Sequence, residues 1–122
     1  MRLAQLNANL AKLGYINGQT LVYRGNYFIA NNITNVKHLL FPIRCYTAAT
    51  TTITGLPEGQ TSGGGALEVK ANYNTGETGI QNLIMTWTKV GTGRTWQCTQ
   101  DCSDGSAPAA SKWTDWKEIT PS

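Results

Sequence analysis

The spacing of apolar positions changes character once along this chain, at Gly14. Before it, Leu3, Leu6, Leu10 and Leu13 recur at the a/d spacing of a coiled-coil seam, with Gln5, Asn7, Asn9 and Lys12 between them. The pattern predicts a short helix over residues 1–14 that Gly14 ends. Two heptads are marginal alone in water, so the stripe reads as the tail of a longer stalk or as a helix docked on the domain that follows.

Beyond Gly14 the pattern turns to short extended runs broken by Asn and Gly. Leu21-Val22-Tyr23 is expected to meet Tyr27-Phe28-Ile29 across Arg24-Gly25-Asn26. Ile33 to Val36 leads into the apolar run Leu39 to Tyr46, in which Pro42 predicts a sheet edge or the first residue of a strand. Residues 47–54 are Thr-rich and β-prone, and Gly55 to Gly65 reads as a long turn region. Leu67, Val69, Ala71 and Tyr73 alternate with Glu68, Lys70 and Asn72, which is the signature of a half-buried strand. Ile80 to Trp87 is apolar on both faces and is expected to be central, followed by a strand over Arg94 to Thr99 and a closing strand that includes Trp113 to Ile119. In an unbroken strand, Trp113 and Trp116 cannot share a face. Many short strands and little helix predict an all-β, small antiparallel sandwich-like domain over residues 32–122, preceded by a connector over 15–31 and the helical segment over 1–14.

At 122 residues the chain suits one domain. Its net charge of +3 comes from ten basic residues scattered singly, which argues against nucleic-acid binding. No apolar run reaches membrane-spanning length, and the first residues lack a signal-peptide pattern, so neither membrane insertion nor a secretion signal is predicted. Cys45, Cys98 and Cys102 cannot all pair within one chain. Cys98 and Cys102 are close enough in sequence to bridge a loop, although free buried thiols suit a reducing cytosol better. With one histidine, His38, far from the cysteine pair, no zinc site is expected. No nucleophile motif and no local pair of facing carboxylates is present, so the chain reads as a non-enzyme without a cofactor or metal.

The order of motifs carries a resemblance. Asn32-Ile33-Thr34-Asn35-Val36-Lys37, Ile43-Arg44-Cys45-Tyr46-Thr47, Leu56-Pro57-Glu58-Gly59, Gly65-Ala66-Leu67-Glu68-Val69, Ile80-Gln81-Asn82-Leu83, Gly93-Arg94-Thr95-Trp96 and Trp113-Thr114-Asp115-Trp116-Lys117-Glu118-Ile119 follow one another. Together they resemble the pyocin knob domain at the C-terminal tips of bacteriophage and tailocin tail fibres. The chain differs from that pattern at Leu40-Phe41-Pro42-Ile43, at Gln97 and Cys98, and in the long loop Gln100 to Lys112. The resemblance implies a non-enzymatic, receptor-binding fibre tip in the virion, assembled as a homotrimer, with Trp116 in the core and Trp113 partly exposed.

A surface glycan as receptor needs a ring face for the apolar side of a sugar and polar groups for its hydroxyls. Trp96, Gln100, Asp101, Asp104, Trp113 and Tyr73 supply these parts, on the loops over 99–111 and 73–78. Leu3, Leu6, Leu10 and Leu13 are the expected trimer contacts. Two other readings stay open: a structural trimerisation cap that binds no receptor, and a free carbohydrate-binding module. The Asp101 to Gly105 segment also carries oxygens suited to calcium, but turn formation is the simpler role.

Overall fold

The computed structural model describes residues 20–57, 60, 64–73 and 79–121. The expected helix over residues 1–14, with its leucine contacts, lies outside the described residues. Where apolar and polar residues alternate, strands form: β1 (Leu21–Val22), β2 (Ile43–Thr47), β3 (Gly65–Tyr73), β4 (Ile80–Lys89), β5 (Thr95–Asp101) and β6 (Lys117–Glu118). They make one six-stranded sheet in chain order, with β4 internal as its double-sided apolar pattern predicted. From β2 to β6 every neighbouring pair is antiparallel. The fold is all-β with one short helix, α1 (Tyr27–Ala30).

The described residues form one sheet and not the two of a sandwich. One face of the sheet is covered, but the covering layer is helical turns and extended chain instead of a second sheet. Phe28 from α1, Val36 and Leu39 around the 3-10 turn Val36–His38, and Ile53 from the following loop pack on Ile43, Leu67, Val69, Leu83, Met85 and Trp87. Asparagines build this layer. Asn26 caps α1 by accepting from the Ile29 N–H at 3.2 Å, and Asn35 caps the 3-10 turn by accepting from the Lys37 N–H at 2.9 Å. Asn26 Nδ2 also donates to Thr51 Oγ1 at 3.0 Å, which ties the helix start to the loop beyond β2.

Those caps overturn the expected pairing of Leu21–Tyr23 with Tyr27–Ile29. The second run becomes helix, and β1 instead joins β2 in parallel, with the Leu21 N–H on the Pro42 carbonyl and the Tyr23 N–H on the Arg44 carbonyl. A parallel pair needs a crossover, and residues 23–42 supply it through α1 and the 3-10 turn. Residues 20–31, read from sequence as a connector, thus contribute a strand and the fully buried Phe28. Pro42 lies immediately before β2, as expected. Of the Thr-rich stretch over 47–54, Thr47 ends β2 and residues 48–54 form a loop with an isolated bridge from Thr54 to Asn35.

Two glycines lie where a side chain would not fit. Gly65 faces Trp87, and a Cβ there would come within 2.6 Å of the Trp87 ring and the Thr88 carbonyl. Gly55 adopts φ +81° beside Asn35, a conformation that favours glycine. Trp87 is fully buried, donates its indole N–H to Thr47 Oγ1 at 2.9 Å, and packs on Trp96 with centroids 5.5 Å apart. Cys45, Cys98 and Cys102 are buried free thiols, so no bridge joins Cys98 to Cys102. Burial pushes the Cys45 thiol up to about 12 and that of Cys98 to about 11, the latter against the pull of the Lys37 ammonium.

The closing segment departs most from expectation. The Ile119 N–H bonds to the Thr95 carbonyl and Gln97 opposes Lys117, but the next contact is the Thr114 N–H on the Thr99 carbonyl. One extra residue therefore lies on the closing side, as in a bulge. That residue reverses the alternation, so Trp113 and Trp116 both turn toward the core instead of to opposite faces. Both are half-buried, and both donate indole N–H groups to loop carbonyls, Trp113 to Lys37 at 2.8 Å and Trp116 to Gly55 at 2.6 Å. The expected split between a core Trp116 and a more exposed Trp113 is not found.

Candidate binding site

The loop after β5 is held by its own side chains. Gln100 is buried, and its amide reads the backbone of Ala109 as a neighbouring strand would: Nε2 donates to the Ala109 carbonyl and Oε1 accepts from the Ala109 N–H, each at 3.1 Å. The Cys102 N–H reaches the Gln81 carbonyl at 2.8 Å, fastening the loop to the start of β4. Within it, Asp101 Oδ1 accepts from the Ser103 N–H at 2.8 Å, and Asp104 Oδ1 accepts from the Ser106 N–H at 2.9 Å and the Ser106 hydroxyl at 2.6 Å. These are Asx turns, and Gly105 at φ +89° sits inside the second. Hydrogen bonds from Ser103 and Ser106 hold the two carboxyls below the usual aspartate range. Lys112 Nζ donates to Ser106 Oγ and lies 3.5 Å from Cys102 Sγ.

The result is an exposed polar loop with a fixed shape on a sheet end. Between it and the start of β4 lies a cleft of about 180 Å³, lined by Gly79, Ile80, Gln81, Cys102, Ser103, Gly105, Ser106, Ala107 and Pro108. Among the described residues no group of three or more His, Cys, Asp or Glu side chains is placed to hold a metal.

The six expected ligand residues separate in this structure. Asp101 and Asp104 are exposed on the loop, and the half-buried Tyr73 ends β3 opposite Ile80, which lines the cleft. Gln100 is at the same end but buried, so its part is to shape the loop and not to touch a ligand. Trp96 is at the other end of β5, opposite Trp87, where Asp101 is opposite Asn82. It is only 6% exposed, with the Arg94 guanidinium 4.6 Å above its ring. Trp113 is half-buried against the covering layer. Neither tryptophan offers a free ring beside the two aspartates. The same layer holds Lys37, whose ammonium donates to the Thr114 carbonyl at 3.1 Å and lies 5.1 Å from the centroid of the Trp116 ring.

The second face of the sheet carries polar side chains that the motif pattern does not single out. Arg44 and Tyr46 alternate with the buried Ile43, Cys45 and Thr47, and both are exposed. On the same face stand Ala66, Glu68 and Lys70 of β3 and Thr86 and Thr88 of β4. The signal is the polar half of each alternation, most plainly Arg44 and Tyr46 within the apolar run Leu39 to Tyr46.

Comparisons with protein-family models, with curated proteins and with solved structures return no match.

Proposed function

We propose that this protein is the receptor-binding tip of a tail fibre, a non-enzymatic domain that attaches the particle to a bacterial surface glycan. The motif order from Asn32 to Ile119 and its resemblance to the pyocin knob support the fibre-tip identity. The observation that carries the binding role is the preformed loop over 101–108. It is exposed and polar, and it is fixed by Gln100 and by its own aspartates, so it pays little ordering entropy when it meets a ligand. Recognition loops are commonly carried on rigid sheets in this way.

In this reading the chain acts as a homotrimer joined through Leu3, Leu6, Leu10 and Leu13. Three weak sites on one particle raise avidity by about 10²- to 10⁴-fold when they engage together, so individual sugar contacts can stay weak. The test takes the full chain. Light scattering gives its mass, and the same sample then competes with whole particles for adsorption to host cells. A trimer that blocks adsorption supports the reading. A trimer that neither binds cells nor blocks adsorption identifies a structural cap, and a monomer that binds glycan identifies a free carbohydrate-binding module.

A further inference from the structure

The open face of the sheet carries a groove that the loop site does not use. Alternation places Arg44 opposite Glu68 and Tyr46 opposite Ala66, on adjacent strands and on the same side. Ala66 contributes only a methyl group, and the exposed positions around it are larger, so the sheet surface dips there. Two depressions result. One, of about 360 Å³, runs among Arg44, Glu68, Lys70 and Thr86; the other, of about 560 Å³, runs among Tyr46, Gly64 and Val90. They share Ala66 and Thr88 as lining, so they form one continuous groove.

Its chemistry is graded along its length. At one end, Arg44 Nε donates to Glu68 Oε2 at 2.7 Å and Lys70 Nζ lies 3.8 Å from Glu68 Oε1. Two cations face one carboxylate, and the Arg44 and Lys70 side chains are 63% and 65% exposed. This leaves a local positive excess, with N–H donors facing solvent. The middle offers the Thr86 and Thr88 hydroxyls. At the other end Tyr46 is 39% exposed and Val90 is 69% exposed, which gives an apolar shelf in water. Arg44 and Tyr46 are two residues apart on β2, so their side chains stand about 7 Å apart on one face, the span of a sugar ring with one substituent.

We infer that this groove is a binding site for an acidic saccharide. A sugar packs its apolar face on the Tyr46 ring, its hydroxyls meet Thr86, Thr88 and Glu68, and its anionic substituent pairs with Arg44 and Lys70. Charge complementarity selects this occupant over a neutral glycan or an apolar peptide, since an apolar partner would bury the Arg44–Glu68–Lys70 group without pairing its excess charge. Arginine's planar fork suits a carboxylate or a phosphate. The inference rests on the glycan-binding reading and moves its main contacts from the loop to the sheet.

The experiment titrates the full chain with polygalacturonate, with a phosphomannan and with neutral dextran by calorimetry, at low and at raised salt. Binding to at least one anionic polymer that weakens with salt and is absent for dextran is the expected result, and the polymer preferred tells carboxylate from phosphate. Arg44→Gln and Tyr46→Ala should each weaken that binding by about tenfold or more, whereas Lys117→Gln, which removes an exposed cation that does not line the groove, should leave it unchanged. Ala66→Gln raises the groove floor from the solvent side and should block binding while the melting curve shows the fold intact. Anionic binding that survives Arg44→Gln, Tyr46→Ala and Ala66→Gln overturns the groove and leaves the receptor-binding function standing, as does binding that prefers dextran. Absence of binding to all three polymers overturns the groove; the function then falls only if the chain also fails to block adsorption to host cells.

Discussion

On one face of β2 to β5 the side chains of Ile43, Leu67, Val69, Leu83, Met85 and Trp87 are buried, and one residue along each strand Arg44, Ala66, Lys70 and Thr86 stand on the other face toward water. The two faces share the same backbone hydrogen bonds, so the backbone cannot account for what separates them. The difference is the covering layer, which places Phe28, Val36, Leu39 and Ile53 over one face. The covered face carries the stability of the domain and tolerates little. The open face lacks such a layer, and Arg44, Tyr46 and Lys70 on it are exposed to solvent. The buried face also holds two polar groups, Thr47 and Gln100, and each has a partner, the Trp87 indole and the Ala109 backbone. Burial without such partners would cost more than the contacts return.

The strongest way to break this comparison is at Trp87. Trp87→Ala should lower stability by about 3–5 kcal/mol in denaturant unfolding, since it removes the largest buried side chain and the indole N–H that donates to the Thr47 hydroxyl. A loss below about 1 kcal/mol would mean that the covered face does not carry the fold.

Gln100→Ala tests whether the loop at the sheet end depends on one amide. The Ala109 N–H and carbonyl would lose their partners, and the expected cost is about 2 kcal/mol. Hydrogen exchange should rise across residues 101–112 more than in β3 and β4. Uniform exchange along the chain would show that the loop is held by other contacts.

Gly65→Ala sharpens the comparison at a single atom. The new Cβ meets Trp87 and the Thr88 carbonyl within 2.6 Å, and the expected destabilisation is about 1–3 kcal/mol. Gln97→Thr, on the open face of β5, should change stability by no more than about 0.5 kcal/mol in either direction. Comparable losses for the two variants would erase the distinction between the faces.

The smallest effect is expected at the edge, where Arg94 forms a two-point pair with Glu118 at 2.8 and 3.0 Å. Hydrogen bonds from Arg94 and then Thr120 bring the Glu118 carboxyl from its ordinary 4.5 to about 2. A carboxylate lowered in the folded state adds stability that is complete above its unfolded pKa and fades as the pH falls through its folded one. Melting midpoints should therefore decline as pH falls from about 4.5 toward about 2, and Arg94→Gln should flatten that part of the curve. The pair is open to solvent, so added salt should reduce the difference between the two proteins. An identical pH profile in the variant would show that the pair adds nothing.

The chain by itself determined the strands whose alternation is long. Leu67 to Tyr73 was legible because each successive residue faces the opposite side, and only one side can be buried when one layer covers the sheet; Ile80 to Trp87 was legible as an internal strand from its apolar residues on both faces. Pro42 marked the start of β2, and the absence of long apolar periodicity after Gly14 marked the class as all-β. The exposed positions of Asp101 and Asp104 were legible too, since Asp-Gly and Asp-x-Ser sequences form turns from their own side chains.

The tertiary structure decided the rest. Leu21–Val22 is too short to specify a partner, so its parallel pairing with β2 depends on where α1 and the Asn35-capped turn carry the chain. The direction of Trp113 was set by one extra residue between Thr114 and Lys117, a slip that no local pattern announces because it arises from pairing with β5. Trp96 is buried in one cluster with Phe28, which lies about seventy positions earlier in the chain, whereas Gln100 is buried beside Ala109 of the loop that follows it. The groove beside Tyr46 follows the same rule. Its walls come from β2, β3 and β4, and the dip at Ala66 exists only because pairing places a methyl group among longer side chains.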